Sequence, residues 1–306
     1  MKRGLQSKKP GFFPGFFILS AFCYNLSNMT EKKNLKIGLA LGGGGSRGYA
    51  HIGVLKVLEK NNIPIDCVAG TSAGALVGAI YSFFKDSKKV EEVTVNNDLS
   101  KLLTLAMDFS FERGIIKGEK IKEFLSRLLE NSSFGSLKIP FRAVATDFNT
   151  AESIIIKEGD VASAVQASAT FPLVFKPIKL FGRCFWDGGM SDPVPVDAVK
   201  DMNADIIIAV NLYNKTAFDA GQKTKEGVYE IAARSIESVQ YNLSKECLRP
   251  ADVVIEPNIS GLGFLGLDRL LKGRGESIIK EGEKAAIKAL PEIREKIDLH
   301  YQIEQS

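Results

Sequence analysis

Histidine is scarce in this sequence, and so are other residues that bind metals. The 306 residues include two histidines, His51 and His300, and four cysteines that form no CxxC pair. Because zinc sites are built from closely spaced cysteine and histidine ligands, this composition argues against a zinc centre. After residue 28, no apolar run is long enough to suggest a transmembrane helix.

An excess of charge of one sign is missing from most of the chain. The formal net charge is +4, and residues 1–28 contain four basic side chains and no acidic one. The remaining residues therefore have a net charge of zero. Nucleic-acid binding depends on clustered lysine and arginine, so no nucleic acid is expected as a partner.

Residues 1–34 are interpreted as a leader, and two alternatives stay open for them. The basic start, the apolar run Gly11–Tyr24 and the polar exit resemble a secretory signal, which predicts a secreted or membrane-anchored protein. The run is short for a membrane span, and Pro14 weakens it as a helix. If translation starts at Met29 instead, the protein is expected to be cytoplasmic or peripheral to the membrane.

From residue 35 onward, short apolar segments alternate with segments of helical periodicity. The predicted strands are Lys36–Leu41, Cys67–Ala69, Phe141–Thr146, Ser153–Lys157, Arg183–Trp186, Asp205–Asn211 and Val253–Glu256. The predicted helices are Tyr49–Lys60, Lys117–Leu129, Val161–Ala169, Glu226–Lys245 and Gly275–Leu290, the last one stopped by Pro291. This alternation predicts an α/β fold with a mainly parallel sheet covered on both faces. We expect one domain over 35–291, with a cap or insertion at Phe83–Gly114, and a polar tail over 292–306.

The stretch Ile65–Ala79 predicts a strand, a tight turn and a helix with Ser72 at the apex. Gly70 and Gly74 flank this serine two residues away on each side. A side chain at either glycine would clash with the neighbouring strand or helix, and the hydroxyl would not stand clear. Ser72 is therefore a candidate nucleophile, although a serine between glycines also serves simply to form a turn.

The glycine-rich segment Gly42–Gly48 lies between the first strand and the first helix, a geometry that aims backbone N–H groups at an anion. The pattern argues against a P-loop, because no Lys-Ser or Lys-Thr follows the last glycine. A dinucleotide fingerprint fits Gly43, Gly45 and Gly48, but its acidic partner should end the second strand, and Asp66 precedes that strand. An oxyanion hole is the favoured interpretation.

The base that would activate Ser72 is predicted to be a carboxylate. His51 lies on the helix after the glycine segment and His300 near the chain end, so neither follows the usual order of a histidine triad. Asp187 follows an apolar strand and precedes Gly188 and Gly189, which would let the backbone turn away from its side chain. The alternative is that Asp-Gly-Gly is only a tight turn.

Three motifs in this order resemble the patatin-like phospholipases, especially the small bacterial members. They are GGGGSRG at Gly42–Gly48, GTSAG at Gly70–Gly74 and DGG at Asp187–Gly189, supported by Ala167–Pro172 and Pro193–Pro195. The similarity extends from about Lys36 to about Leu290. It implies a three-layer α/β/α sandwich and a Ser–Asp dyad, with Ser72 as nucleophile and Asp187 as proton acceptor.

The resemblance also implies roles for the glycine motifs. The N–H groups of Gly44 and Gly45, together with Gly43 and Arg47, would form the oxyanion hole. The glycines expected to support the motifs are Gly48, Gly70, Gly74, Gly188 and Gly189. No metal or cofactor is implied. Arg47 could also help hold the loop, attract a phosphate-bearing substrate or be a solvated surface residue, and Asp192 stands where the family often has asparagine.

The expected function is that of a serine lipid acyl hydrolase of the phospholipase A or lysophospholipase type. Its expected partners are a lipid or phospholipid ester and a membrane surface. The apolar stretches Phe83–Phe84, Leu102–Phe111 and Ile259–Leu267 are candidates to line an acyl pocket or touch lipid, with core packing as the alternative. A small-ester esterase with the same dyad and a catalytically weak regulatory protein remain as alternatives.

Overall fold

A computed structural model describes residues 35–95, 118–218, 227–259 and 275–303 of the chain. The predicted leader over 1–34 and the apolar stretch Leu102–Phe111 lie outside the described residues. The part of the predicted insertion after residue 95 and nearly all of the stretch Ile259–Leu267 also lie outside the described residues.

The eight described strands form one mixed sheet. They are β1 (Ile37–Leu41), β2 (Cys67–Thr71), β3 (Phe141–Asp147), β4 (Ser153–Ile156), β5 (Ile178–Leu180), β6 (Arg183–Asp187), β7 (Ile206–Val210) and β8 (Val253–Ile255). The strand order is β5-β6-β3-β2-β1-β7-β8, with β4 also paired to β3. The strands β3, β2, β1, β7 and β8 run parallel, and the pairs that involve β4, β5 and β6 are antiparallel.

Helices cover both faces of this sheet. They are α1 (Tyr49–Lys60), α2 (Ala73–Phe84), α3 (Ser87–Val95), α4 (Glu119–Leu128), α5 (Val161–Ser168), α6 (Val196–Lys200), α7 (Val228–Cys247) and α8 (Gly275–Ile303). Alternate residues of β1 belong to different apolar clusters, since Leu39 and Leu41 pack with α1 and α8 while Ala40 packs with α6. The predicted α/β architecture is therefore confirmed.

Across the described residues, no helix combines the length and the apolarity needed to cross a bilayer. The burial of the central strands explains why the sequence predicted them. All residues of β1 and β7 are buried, as expected for central parallel strands that are covered on both faces and read as continuous apolar runs.

The register of three strands brings the candidate residues together. Thr71, at the end of β2, pairs with Val144, and the next residue of β3, Ala145, pairs with Asp187. Because β6 runs antiparallel to β3, its last residue meets the end of β2. The residue after Thr71 is Ser72, so the pairing itself places the serine turn beside the Asp-Gly-Gly turn.

Helix α8 does not end where the sequence predicted. It continues through Pro291 to Ile303, so the prediction of a stop at Pro291 was wrong, and residues 292–303 are helical rather than a tail. A proline inside a helix costs about 3 kcal/mol. Packing beyond it offsets this cost, because Ile293 is fully buried, Ile297 packs on the core and Arg294 Nη2 donates to Asn61 Oδ1 at 3.1 Å.

Candidate active site

Ser72 occupies a strained turn between β2 and α2. Its backbone has φ 54° and ψ −117°, a conformation that residues with a side chain rarely adopt. A Cβ on Gly70 would clash with the backbone of Gly74 and Ala75, and a Cβ on Gly74 would clash with the carbonyl of Leu41. Both glycines are therefore needed for the close approach of strand and helix that holds the serine at the apex.

The structure brings Ser72 and Asp187 into direct contact. Ser72 Oγ donates a hydrogen bond to Asp187 Oδ2 at 2.6 Å, and Asp187 Oδ1 accepts one from the N–H of Gly189 at 2.8 Å. Ser72 is 6% exposed and Asp187 is fully buried. The distance lies within the range required of a nucleophile and its base.

Burial sets the acid–base character of Asp187. Loss of solvation raises the pKa of this carboxyl from 3.8 to about 6, against the hydrogen bonds from Ser72 and Gly189, which lower it. The carboxylate is thus a better proton acceptor than an exposed aspartate and is still ionised at neutral pH.

The glycine segment lies beside the serine turn, but its N–H groups are not equivalent. Gly43 N–H donates to the carbonyl of Pro193 at 2.9 Å, and Gly42 N–H to that of Val210 at 3.0 Å. The N–H groups of Gly44 and Gly45 make no hydrogen bond to the described part of the chain. Of the predicted oxyanion donors, these two remain available, whereas Gly43 fastens the loop instead.

Arg47 is buried and ion-paired. Its side chain is fully buried, and Nη2 contacts Oε1 of Glu237, whose other oxygen accepts from Arg234 Nη1 at 2.7 Å. Burial lowers the pKa of Arg47, and Glu237 opposes this effect. The alternative of a solvated surface arginine is therefore wrong, and the guanidinium is turned toward α7 rather than presented at the surface for a substrate phosphate.

The histidines take no part in the contact between serine and aspartate. His51 is fully buried, its Nε2 donates to the carbonyl of Gly42 at 2.7 Å, and burial lowers its pKa to about 4. A neutral His51 therefore holds the start of the glycine segment. His300 lies near the end of α8. The hydroxyl of Ser72 is paired with Asp187, as the scarcity of histidine had suggested.

Ser168 is a site residue that sequence reasoning missed. Its Oγ accepts a hydrogen bond from the N–H of Ser72 at 2.9 Å and donates one to the carbonyl of Val144 at 2.5 Å. It thereby ties the strained serine turn to β3. Ser168 belongs to the Ala167–Pro172 segment that supported the resemblance, so the sequence contained a signal for its position but none for its role.

Gly188 and Gly189, which directly follow Asp187, are both held in close contacts. A Cβ on Gly188 would clash with the carbonyl of Val144. A Cβ on Gly189 would lie 2.6 Å from Gln240 Nε2 and 3.0 Å from Tyr213 Oη. Asp-Gly-Gly therefore forms a tight turn, as the alternative interpretation predicted. The same turn places the carboxylate of Asp187 next to Ser72.

Asp192, which departs from the family pattern, lies just after this turn. Its carbonyl accepts a hydrogen bond from Thr71 Oγ1 at 2.8 Å, so its backbone links the turn to β2. Burial raises the pKa of its side chain to about 7, and a hydrogen bond with Cys247 opposes the shift.

An apolar pocket opens next to the serine turn and the glycine segment. Its lining residues are Gly45, Gly48, Tyr49, Ile52, Ala73, Leu76, Val77 and Thr94. Ala73 directly follows Ser72, and Gly45 carries one of the available N–H groups. The candidates Phe83 and Phe84 pack against the core instead of lining this pocket, which matches the alternative of core packing.

Comparison with known proteins places these features in a family. A model of the patatin-like phospholipase family matches residues 39–200, which contain the glycine segment, the serine turn and the Asp-Gly-Gly turn. An uncharacterized NTE family protein of Mycobacterium tuberculosis is 35% identical over 188 residues, 60% of this chain and 50% of that protein. The chain thus spans about half the length of that relative.

Similarity extends to larger proteins. Patatin-like phospholipase domain-containing protein 6 of Homo sapiens is 29% identical over 188 residues, 60% of this chain and 14% of that protein. The structure of VipD from Legionella pneumophila matches with a TM-score of 0.46 and 13% identity, over 86% of this chain and 73% of that one. The match of the family model carries the assignment: the chain belongs to the patatin-like phospholipase family.

Proposed function

We propose that the protein is a serine lipid acyl hydrolase of the phospholipase A or lysophospholipase type. In this proposal Ser72 is the nucleophile and Asp187 the base. The observation that carries it is the 2.6 Å hydrogen bond from Ser72 Oγ to a buried carboxylate whose pKa is raised to about 6. Membership of the patatin-like phospholipase family supports a lipid ester as substrate.

Acylation begins when Ser72 Oγ attacks the ester carbonyl and its proton passes to Asp187 Oδ2. The tetrahedral oxyanion accepts hydrogen bonds from the N–H groups of Gly44 and Gly45, which have no acceptor in the described chain. Each such donor stabilises the transition state by about 3–4 kcal/mol. The intermediate collapses when Asp187 returns the proton to the leaving alcohol, which departs and leaves an acyl ester on Ser72.

Deacylation repeats these steps with water. A water molecule gives a proton to Asp187 and attacks the acyl carbonyl, and the oxyanion again faces Gly44 and Gly45. Collapse breaks the bond to Ser72 Oγ, which takes the proton back from Asp187 while the fatty acid is released. Both half-reactions use one base, as expected when acid and base roles alternate on a single group.

The apolar pocket supports a hydrocarbon acyl group. It is lined by Gly45 and by Ala73, which directly follows Ser72, so a carbonyl held at the dyad has an apolar cavity within reach of the first part of its alkyl chain. Burial of each CH₂ group contributes about 0.8 kcal/mol to binding. We therefore propose that the acyl chain occupies this pocket, where Leu76 and Val77 of α2 would contact it.

Two measurements on wild type and Ser72→Ala test this proposal: fluorophosphonate labelling, and hydrolysis of p-nitrophenyl esters and phospholipids of increasing chain length. The wild type should be labelled and should prefer lipid acyl chains, and Ser72→Ala should lose both properties. Ser235→Ala, on the exposed face of α7, is the matched control and should behave as wild type.

Three outcomes would redirect the assignment. Hydrolysis of short esters alone would favour a small-ester esterase with the same dyad. Absence of labelling in the wild type would favour a catalytically weak regulatory protein. Labelling that survives in Ser72→Ala would remove Ser72 as the nucleophile.

A further inference from the structure

Helix α7 buries a polar face, which is unusual because polar side chains of a helix normally face the solvent. Glu237, Gln240 and Ser244 are 3%, 1% and 0% exposed and lie at helical spacing on one side. Two apolar residues of the same helix, Ile231 and Val239, are 57% and 61% exposed. Amphipathic helices normally have the opposite arrangement, so this face calls for an explanation other than core packing.

The polar face of α7 contacts the surroundings of the dyad. Glu237 pairs with Arg47, which lies in the glycine segment. Gln240 Nε2 lies close to Gly189, next to the base, and Ser244 Oγ donates to the carbonyl of Tyr213 at 3.4 Å. The helix therefore supports both the oxyanion side and the base side of the site.

The contact between Glu237 and Arg47 reaches the proposed oxyanion donors through the backbone. Arg47 lies in the short 3-10 turn Gly45–Gly48, and its own N–H donates to the carbonyl of Gly44 at 3.2 Å. Fixing the Arg47 side chain thus fixes the turn that begins with Gly44 and Gly45. A buried guanidinium needs an anionic partner, and Glu237 provides it.

We infer that Glu237 is a positioning residue: by holding Arg47, it orients the N–H groups of Gly44 and Gly45 toward the carbonyl that Ser72 attacks. Arg47 in this inference is an anchor of the loop rather than a ligand of substrate phosphate. The inference rests on the proposed function, because it assigns a role in the acyl transfer at Ser72.

Steady-state kinetics on p-nitrophenyl butyrate test this role with Glu237→Gln, which keeps the size of the side chain and removes its charge. Because displaced oxyanion donors act on the transition state, kcat should fall about 100-fold while KM stays within about twofold. The matched control is Glu246→Gln on the same helix, where the glutamate is 58% exposed. It should retain wild-type kcat. Wild-type kcat in Glu237→Gln, or a rise in KM without a fall in kcat, would overturn the inference.

A double-mutant cycle tests whether Glu237 acts through Arg47. If it does, the kcat of Arg47→Gln/Glu237→Gln should equal that of Arg47→Gln within about twofold, because the second change removes nothing further. Additive losses would overturn the inference. If Glu237→Gln does not fold, the double variant still tests the role of Glu237. It lacks the charges of both Arg47 and Glu237, so it leaves no buried charge without its partner. Circular dichroism checks its fold, and wild-type kcat in the folded double variant would contradict the role of Glu237.

Failure of the inference can be distinguished from failure of the proposed function. An active wild type with an equally active Glu237→Gln would overturn the inference alone. An inactive wild type that resists fluorophosphonate would overturn the proposed function, and the role assigned to Glu237 would fall with it.

Discussion

Two carboxylates lie buried in the site, and their surroundings differ in charge. Asp187 is fully buried, and its carboxylate accepts hydrogen bonds from a hydroxyl and a backbone N–H, which are neutral donors. Glu237 is 3% exposed and contacts the guanidinium groups of Arg47 and Arg234. Among the described residues, Asp187 contacts the hydroxyl of Ser72 and no cation, whereas Glu237 contacts two guanidinium groups.

This difference suits the two groups to different tasks. A cation next to a carboxylate stabilises the ionised form and makes it a poor proton acceptor. Among the described residues no cation contacts Asp187. The loss of solvation therefore outweighs the hydrogen bonds from Ser72 and Gly189 and raises the pKa of Asp187 to about 6. Glu237 is suited to fixing a charged side chain in place. The same functional group can therefore serve as a base or as an anchor, depending on the charge of its partner.

The largest expected effect is the loss of turnover in Asp187→Asn. Because the amide cannot accept the proton of Ser72, kcat should fall about 10³- to 10⁴-fold. The fold should stay intact, since asparagine has the same shape and can still accept the hydrogen bond from Gly189. Steady-state kinetics together with a thermal unfolding curve would show this combination.

Asp201→Asn serves as the control, because Asp201 is 65% exposed and lies away from the dyad. It should match the wild type in both measurements. Full activity in Asp187→Asn, accompanied by inactivity of His51→Ala or His300→Ala, would contradict the dyad and indicate a histidine base.

The second prediction concerns stability rather than turnover, and it separates the two carboxylates. Glu237→Gln removes the negative charge that faces the buried Arg47, so the free energy of unfolding should fall by about 3–5 kcal/mol. Asp187→Asn removes a charge that has no cationic partner in the described part of the chain and should not destabilise the protein. Urea unfolding of both variants at pH 7 would measure the contrast. Equal losses would mean that Asp187 too is mainly a structural anion.

The comparison also shows which part of the site could be predicted from the sequence. Ser72 and Asp187 were found because each is followed or flanked by glycines that a sharp turn requires, and those turns have a local signature. Glu237 has none. It lies in a helical segment without a recognisable motif, 190 residues after Arg47, and its role depends on a packing contact between distant segments.

The same limit applies to two details. The resemblance implied Gly43 as an oxyanion donor beside Gly44 and Gly45, but the direction of each N–H depends on neighbours such as Pro193, whose carbonyl accepts from Gly43. The stop at Pro291 followed from local propensity, whereas the buried residue Ile293 keeps α8 on the core beyond it. Local sequence patterns predicted the helices, the strands and the turns. The direction of the Gly43 N–H and the end of α8 depend on tertiary contacts, which these patterns do not contain.

The third prediction uses the raised pKa of Asp187. The folded protein retains this proton up to about pH 6, whereas the unfolded chain releases it near the ordinary pKa of 3.8. The free energy of unfolding should therefore fall by about 3 kcal/mol as the pH rises from 4 to 7. Asp192, whose pKa is raised to about 7, adds a similar trend. The difference between wild type and Asp187→Asn in urea unfolding isolates the part due to Asp187, and no difference in slope would contradict it.

The smallest expected effect is the acid limb of the pH–rate profile. Asp187 must be ionised to accept the serine proton, so kcat/KM should drop about tenfold per pH unit below the pKa and level off above it. The midpoint should lie near pH 6, where burial places this carboxyl. Glu237 contacts Arg47 and Arg234 rather than Ser72. In Glu237→Gln the residual activity should therefore keep the wild-type midpoint, and a shifted midpoint would mean that the two carboxylates are coupled.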